Sequence, residues 1–444
     1  MPSRAHRIAD AAKRSLPEGT FAVGAGLLIA GVTAYGFQIL TGRTLAKADY
    51  AALNGLWALV FVVTPGFFQP LEQEVSRALA SRASRGIGGG PLVRRAAILG
   101  GILAASVALI VVVASKPLVD ELFEGEWLLL VALLVAIATY YVAHLTRGTL
   151  SGNGRFERYG LMHGVEGSVR FLACIALVVF GVESAGAYGL ALALPPLVAV
   201  ALALRRQHGL LLPGPDAPYS ELSNALVLLL VGSFLAQTLG YAAFLGANLL
   251  ATSAEKDEVA DFIFGLFIAR IPILLFQAVQ AALLPKLAGL AGAGKVEDFR
   301  GGLRKLIVVV VALGVFGTVA GATIGPWAGR LLFGAEDFTL GNRDLGLLAA
   351  GSGAFILALT LAQALIALEG YAQAAVSWLI GIAGFIVVTA LGDDLFLRVE
   401  LGFVAGSSAA AVAMAALLAN RLRHGVPGTA EPLVRVIGHE PLEI

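Results

Sequence analysis

Twelve long apolar stretches alternate with short polar segments along the chain, and one longer polar segment divides them six and six. A helix needs roughly 20 mostly apolar residues to cross a bilayer, so each stretch predicts a transmembrane helix. The predicted spans of the first half are Phe21–Leu40, Ala51–Phe68, Ala96–Ala114, Trp127–Leu145, Gly160–Phe180 and Ala187–Leu204. Those of the second half are Ser223–Leu250, Phe262–Leu284, Leu306–Ile324, Leu345–Leu368, Ala374–Leu391 and Leu401–Leu418.

The dividing segment, RRQHGLLLPGPDAPYSE, is rich in proline and polar residues, as linkers are. We therefore predict an N-lobe over 1–204, a cytoplasmic linker over 205–221 and a C-lobe over 222–444. No segment of the chain resembles a soluble catalytic domain, and no predicted outer loop is long enough to form such a domain.

The composition agrees with a membrane protein, because 58% of the residues are hydrophobic, only 14% are charged and the mean hydropathy is +0.84. Cys174 is the only cysteine, so no intrachain disulfide can form. The first apolar run continues to Leu40, which is too long for the core of a signal peptide. Arginine outnumbers lysine 24 to 7, and this usage indicates a bacterium with a GC-rich genome.

The charges predict the orientation. With both termini in the cytoplasm, the inner segments hold 22 Lys and Arg residues, the outer segments 7 and the spans 2. This is the positive-inside pattern, and it places the chain in a bacterial cytoplasmic membrane. The basic clusters therefore report topology, and we expect no nucleic-acid partner.

Two landmarks recur at nearly the same offset in both halves. Pro70 and Pro285, which follow the second and eighth spans, are 215 positions apart, and Tyr159 and Tyr371 are 212 apart. Six spans per half is an even number, so both halves begin on the same side of the membrane. The halves are therefore predicted to be parallel repeats.

Four segments resemble polysaccharide flippases of the multidrug/oligosaccharidyl-lipid/polysaccharide (MOP) superfamily: ILTGRTLAKADYAALNGLW, RGTLSGNGRFERYG, LLFGAEDF and ALEGYAQAAVSWLIG. The resemblance implies two six-helix lobes around a V-shaped cavity that opens alternately to each side. It also implies a lipid-linked sugar as cargo, with membrane lipids and polysaccharide-assembly enzymes as partners. The major facilitator family is the alternative fold, but LEQEVSRALASRASRGIGGG lacks its usual Gly-to-Asp spacing between the second and third spans.

Ionisable residues at membrane depth are costly, and they are therefore candidates for function. His163, Glu166 and Arg170 fall within an arc of about 60° on the fifth predicted span. Glu166 and Arg170 have the i,i+4 spacing of a salt bridge, which would make them a structural pair. In the alternative interpretation they line the cavity, where Arg170 holds an anionic headgroup and Glu166 with His163 responds to a proton or cation.

Arg270 lies about a third of the way into the eighth predicted span from the outer side. It either reaches back to the outer interface or faces the cavity with Gln277, which lies on the same helix face. The resemblance to flippases implies that arginines in the cavity hold the diphosphate of the cargo, and we expect this of Arg170 and Arg270. Gln38 is a further candidate for the substrate cavity. Hydrogen bonding to a neighbouring helix is the alternative for it, and is expected for the polar residues Asn54, Gln237, Asn248 and Gln363.

The leading hypothesis is a flippase of lipid-linked oligosaccharide. The sequence contains no G-x-x-x-x-G-K-[ST] segment, so ATP-driven transport by this chain alone is not expected. No cofactor is predicted beyond a coupling Na⁺ or H⁺, for which Glu166 is the candidate site. A cation-coupled multidrug exporter of the MATE type shares the fold and is the alternative function. An enzyme is not expected, because the first outer loop offers only Asp49 as an acid.

Overall fold

The computed structural model describes residues 20–218, 221–222, 226–252, 255–272, 295–333 and 338–424. Within these ranges the regular structure is helical, and twelve long helices follow one another. They are α1 (Thr20–Thr44), α2 (Lys47–Ser84), α3 (Gly90–Val113), α4 (Trp127–Gly152), α5 (Phe156–Val179), α6 (Ala185–Leu204), α7 (Leu226–Leu250), α8 (Lys256–Ala269), α9 (Val296–Phe333), α10 (Asn342–Ala367), α11 (Tyr371–Leu391) and α12 (Leu395–His424).

Each of the twelve predicted spans overlaps one of these helices. Eleven of the helices are long and apolar enough to cross a membrane, so the chain is a multi-pass membrane protein. α8 is described over 14 residues, and the rest of the eighth predicted span, with Gln277 and Pro285, lies outside the described residues. α2 and α9 have 38 residues each, or about 57 Å at 1.5 Å per residue, so both project beyond a bilayer core of about 30 Å.

The two halves pack their helices in the same pairwise order. In the first half α1 packs on α5, α2 on α4, α3 on α4, α4 on α6, and α5 on α6. In the second half α7 packs on α11, α8 on α10, α9 on α10, α10 on α12, and α11 on α12. Adding six to each helix number converts the first set into the second, so the predicted parallel six-helix lobes are confirmed.

Helices α1 and α5 approach each other closely at glycine. A Cβ atom on Gly160 would lie 2.8 Å from the backbone nitrogen of Val23, so a larger residue would push the helices apart. This contact explains the small residue Gly160 on α5 by helix packing, whereas a Cβ atom on Gly164 would lie at an ordinary contact distance of 3.7 Å from Gly26 Cα.

Segments predicted to share one side of the membrane contact one another. On the predicted outer side, Arg43 Nε at the end of α1 donates to Leu332 O of α9 over 2.7 Å. On the predicted inner side, Arg421 Nε near the end of α12 donates to Leu368 O over 2.8 Å. The alternation of the predicted topology therefore matches the fold, while the assignment of the inner side to the cytoplasm stays a prediction.

The segment between the lobes is a strap fixed to the N-lobe, not a free linker. Arg82 at the end of α2 is buried, and it donates to the carbonyls of Gly88, Pro215 and Asp216 and to the carboxylate of Glu221. Arg77 and Arg95 also bond to the described strap residues, 205–218 and 221–222, at Glu221 O and at the Asp216 carboxylate, so several N-lobe contacts hold the strap.

Candidate functional site

Two polar stripes face each other inside the N-lobe. Tyr140, His144 and Arg147 occupy positions i, i+4 and i+7 of α4, which lie on one helix face. The short turn between α4 and α5 makes the two helices antiparallel neighbours. The facing stripe of α5 repeats the same spacing and consists of Tyr159, His163, Glu166 and Arg170.

Glu166 is held by α4. Its Oε1 atom accepts a hydrogen bond from the Tyr140 hydroxyl over 3.0 Å, and its Oε2 atom forms an ion pair with Arg147 Nη2. The predicted i,i+4 salt bridge with Arg170 is therefore wrong. Arg147 reaches the carboxylate across the helix interface, and this pairing also neutralises an arginine that the sequence analysis had counted only as a topology signal.

Glu72 of α2 forms the second carboxylate centre of this network. Its Oε2 atom lies 2.7 Å from His144 Nδ1, and its Oε1 atom accepts a 2.9 Å hydrogen bond from the Tyr159 hydroxyl. Glu72 and His144 are both buried. The two carboxylates together tie α2, α4 and α5 into one hydrogen-bonded unit, which we call the N-lobe network: Glu72, Tyr140, His144, Arg147, Tyr159 and Glu166.

His163 stands beside this network without joining it. Its ring lies 5.1 Å from the Tyr159 ring, and its buried Nε2 atom has no hydrogen-bond partner among the described residues. An unpartnered buried polar atom is costly, and α5 carries a second such atom, Arg170 Nε. The described residues contain no group of three His, Cys, Asp or Glu side chains that could hold a metal ion.

Arg170 points away from Glu166 towards α1 and α2. Its Nη2 atom donates to Ala30 O over 3.3 Å, and its Cζ atom lies 5.3 Å from the centre of the Trp57 ring. The side chain is buried, and none of its described contacts is a carboxylate. Arg170 is therefore held by a cation–π contact and keeps an uncompensated charge.

Arg270 has the same kind of environment in the C-lobe. Its Cζ atom lies 4.5 Å from the centre of the Tyr241 ring and 5.0 Å from that of Phe244, and Nη2 donates to Gly240 O. The guanidinium is thus directed at the middle of α7 rather than at the outer interface. Gln277, its predicted companion, lies outside the described residues.

Aromatic rings join the two arginines across the lobe interface. Trp57 of α2 lies 6.1 Å from Phe267 of α8, and Phe267 lies 5.3 Å from Phe244 of α7, measured between ring centroids. A parallel route runs from Trp57 through Phe61 to Tyr241. We call these five rings the interlobe aromatic seam.

The uncharged candidates behave differently from one another. Gln38 is buried, its Oε1 atom accepts from the Tyr50 hydroxyl of α2 over 3.1 Å, and its Nε2 atom has no partner among the described residues. Asn54 and Asn248 donate to carbonyls of their own helices, which corrects the expectation that they bond to neighbouring ones. Gln237 and Gln363 are half-buried.

The sequence analysis missed five members of the N-lobe network, namely Glu72, Tyr140, His144, Arg147 and Tyr159. The heptad-like spacing of Tyr140, His144 and Arg147 was the available signal. Glu72, Arg147 and Tyr159 were assigned to inner segments, where charged and polar residues need no special explanation. Tyr140 and His144 lay inside the fourth predicted span and were overlooked.

The corresponding junction of the C-lobe is apolar. Phe355 of α10 is 215 positions after Tyr140, and Trp378 of α11 is 212 positions after Glu166. Their rings lie 5.7 Å apart and are buried. Aromatic packing thus replaces the hydrogen bond between Tyr140 and Glu166.

Comparison with known sequences gives relatives without an established function. No family model matches the chain. Uncharacterized protein Rv1510 of Mycobacterium tuberculosis is 28% identical, over 83% of this chain and 85% of its own length. Uncharacterized protein Mb3654 of Mycobacterium bovis is 23% identical, over 78% of this chain and 79% of its own length.

Solved structures give a clear likeness of fold. A crystal structure of MATE in complex with MaL6 superposes with a TM-score of 0.69 at 15% identity, covering 91% of this chain and 96% of that one. A Vibrio cholerae MATE transporter superposes with a TM-score of 0.69 at 17% identity, covering 92% of this chain and 97% of that one. An inward-facing multidrug resistance MATE family transporter of the MOP superfamily superposes with a TM-score of 0.66 at 15% identity, covering 94% of this chain and 97% of that one. The chain therefore has the fold of the MATE transporters, and the major facilitator alternative is wrong.

Proposed function

We propose that the chain is an alternating-access transporter that moves an anionic amphiphile, a lipid-linked oligosaccharide or polysaccharide precursor, from the inner to the outer leaflet. The observation that carries the proposal is the pair Arg170 and Arg270. The two guanidinium groups come from opposite lobes and lie on one aromatic seam, and their described contacts are rings and backbone carbonyls.

The positive charges of Arg170 and Arg270 at the seam favour a cargo with negative charge. The carboxylates Glu72 and Glu166 are occupied by His144 and Arg147, so they do not offset the charges of Arg170 and Arg270. In a medium of low dielectric constant, two uncompensated positive charges attract phosphate groups and repel cationic drugs. Arginine also suits a diphosphate because its planar fork can donate two hydrogen bonds to one phosphate.

A multidrug exporter is the second candidate, favoured by the fold likeness to the multidrug resistance MATE transporter. The same fold supports different functions, so the likeness alone does not choose between the two. An exporter of cationic compounds needs an accessible carboxylate at the lobe interface, and the acids of the N-lobe network are already paired.

Transport into proteoliposomes tests the proposal. The full-length chain is reconstituted with a fluorescent polyprenyl-diphosphate oligosaccharide, and an impermeant reductant destroys the dye in the outer leaflet only. Flipping is expected to raise the reducible fraction from half towards all of the dye. Efflux of ethidium from the same vesicles is the parallel measurement; ethidium efflux without flipping would replace the flippase proposal by the exporter.

Coupling to a proton is a further part of this proposal, and we propose a centre other than Glu166 for it. Glu166 already has two strong partners, Arg147 and Tyr140. Glu72 faces the imidazole of His144, and imidazole is the side chain that changes charge near neutral pH. We therefore propose the pair Glu72–His144 as the proton-responsive centre. Enzymes that assemble the polysaccharide at the membrane would supply and consume the cargo.

A further inference from the structure

A cavity of about 370 Å³ lies between the lobes on the predicted outer side. It is bounded by the end of α1, the start of α2, and parts of α8 and α9. The lining residues are Gly42, Arg43, Leu45, Lys47, Tyr50, Phe264 and Phe333, and we call this space the outer mouth. Its charged lining residues are two cations, and its floor is aromatic.

Each cation of the outer mouth reaches across to the C-lobe. Arg43 Nε and Nη2 donate to the carbonyls of Leu332 and Leu331, at 2.7 and 2.6 Å, near the end of α9. Lys47 Nζ lies 3.4 Å from Asp261 Oδ2 of α8. Among the described residues, the two lobes are thus joined at this side by one ion pair and by one arginine on neutral acceptors.

The members of the ion pair are unequal in exposure. The Lys47 side chain is 42% exposed, whereas that of Asp261 is 0% exposed. Asp261 Oδ2 also accepts a 3.2 Å hydrogen bond from Thr339, but Oδ1 is buried without a partner among the described residues. An anion can therefore reach Lys47 from the mouth, while Asp261 depends on Lys47 for its only described cation.

We propose that the outer mouth binds a phosphate group between Arg43 and Lys47, and that this binding opens the outer side. The inference rests on the proposed function, because the cargo's diphosphate is the source of the phosphate. A phosphate is a stronger acceptor for a guanidinium than a backbone carbonyl is, since its hydrogen bonds are charge-assisted.

Binding is coupled to opening through Asp261. When Lys47 turns to the phosphate, Asp261 becomes a buried carboxylate without a counter-ion, which is strongly unfavourable. Separation of the lobes hydrates Asp261 and removes that cost. The cargo thus releases the contact that would otherwise hold its exit closed, and departure of the phosphate restores the pair Lys47–Asp261.

Binding is measured by calorimetry on the purified full-length chain with inorganic pyrophosphate. Lys47→Gln and Arg43→Gln are expected to weaken binding about tenfold or more, the value of one charge-assisted hydrogen bond, while Lys47→Arg retains it. Asp261→Asn is expected to tighten binding, because the internal competitor is gone. Lys116→Gln, an outer lysine paired with Asp120 on the N-lobe, is the matched control and should leave binding unchanged.

Equal affinities for Lys47→Gln and Lys116→Gln, or no tightening by Asp261→Asn, would overturn the site. Two acids, Glu336 and Asp337, follow α9 in the sequence and lie outside the described residues. The Lys47→Gln comparison is repeated with both acids changed to amides. The loss of affinity on Lys47→Gln should persist there, and its disappearance would also contradict the assignment.

Opening is measured separately from binding and from transport. Leu45 is buried in the mouth, so Leu45→Cys in a Cys174→Ala background reports access to an impermeant maleimide. Pyrophosphate should accelerate labelling in this background, and Asp261→Asn should label fast without any anion. Labelling that pyrophosphate does not change would refute the coupling, even if the anion binds.

Two experiments distinguish a lipid-linked diphosphate from free phosphate as the ligand. A polyprenyl diphosphate in the bilayer should accelerate labelling of the Leu45→Cys variant at a lower concentration than free pyrophosphate if the cargo is the ligand. Acceleration by free pyrophosphate alone would make the mouth a sensor of soluble phosphate and would remove the link to the cargo. If labelling responds as expected but no flipping occurs in proteoliposomes, the proposed function fails while the site remains.

Discussion

Arg170 and Arg270 come from opposite halves of the chain and meet the same aromatic seam from its two ends. Arg170 lies over Trp57, Arg270 lies over Phe244, and the Phe267 ring lies between those two rings at 6.1 and 5.3 Å. Cation–π contacts hold both charges without neutralising them. An anionic group that enters between the lobes therefore meets one arginine from each lobe.

Substitution of either arginine should impair transport with little loss of stability. Arg170→Gln removes a charge and a cation–π contact worth about 0.5–2 kcal/mol, but it leaves Glu166 paired with Arg147. Flipping of the fluorescent oligosaccharide should fall by an order of magnitude, with partial rescue by Arg170→Lys, because lysine keeps the charge and loses the fork. Unchanged flipping in both Arg170→Gln and Arg270→Gln would remove the basis of the anionic-cargo proposal.

Arg147→Gln should have the opposite effect, a large loss of stability. It leaves Glu166 as an unpaired buried carboxylate, which costs about 3–5 kcal/mol. Thermal unfolding of the purified chain measures this, and the double change Arg147→Gln with Glu166→Gln should recover most of the loss. A double variant as unstable as Arg147→Gln alone would show that the pair is not the origin of the effect.

The pair Glu72–His144 should govern the pH dependence of transport. His144→Gln removes the imidazole of the proposed proton-responsive pair, so the flipping rate should become nearly independent of pH between about 6 and 8. Tyr159→Phe, which removes one hydrogen bond to Glu72 and no ionisable group in this range, is the comparison. If His144→Gln keeps the wild-type pH profile, proton coupling does not pass through this residue.

The strap should detach in acid. The hydrogen bonds from Arg82 lower the pKa of Glu221 from its ordinary 4.5. A carboxylate with a depressed pKa stabilises the fold fully above its unfolded pKa, and this stabilisation is lost as the pH falls through the depressed value. Hydrogen exchange over residues 212–218, corrected for intrinsic rates, should show protection at pH values above about 5 that fades in stronger acid.

Glu221→Gln should remove much of this protection at neutral pH as well. Asp216→Asn is the control, because its exposed pair with Arg95 contributes little. Equal exchange in the two variants would assign the strap to backbone contacts alone.

Labelling of single cysteines in a Cys174→Ala background should fix the orientation. Cysteines at Glu124 and Glu258 should react with an impermeant maleimide on intact cells, and those at Arg85 and Lys295 should react only after permeabilisation. All four positions are exposed, so burial does not confuse the result. Outside labelling at Arg85 would reverse the predicted topology.

The helices were predictable because each needs about 20 consecutive apolar residues to cross the bilayer, and such a run is visible in the local sequence. Element ends were less accurate where a helix leaves the membrane. The polar continuation of α2 from Leu71 to Ser84 carries no hydropathy signal, although the segment EQEVSRALASR has helical character.

The partner of Glu166 was not predictable from its own helix. The i,i+4 rule considers neighbours on one helix, whereas the α4–α5 interface brings Arg147 into contact with the carboxylate. The short turn between α4 and α5 predicts that the two helices are antiparallel neighbours, so their matching stripes could have been paired. The positions of Arg170 and Arg270 on a shared seam depend on how the lobes dock, and no local pattern encodes that.

The contrast between Tyr140–Glu166 and Phe355–Trp378 bears on the history of the molecule. If the halves arose by duplication of one ancestral gene, they have since diverged at this junction: one copy has a hydrogen-bonded polar pair there, and the other has packed aromatic rings. A chimaera built from two C-lobes should then lack the proposed proton-responsive pair Glu72–His144, because both residues belong to the N-lobe. The two copies thus share one helix arrangement but place different chemistry at the same junction.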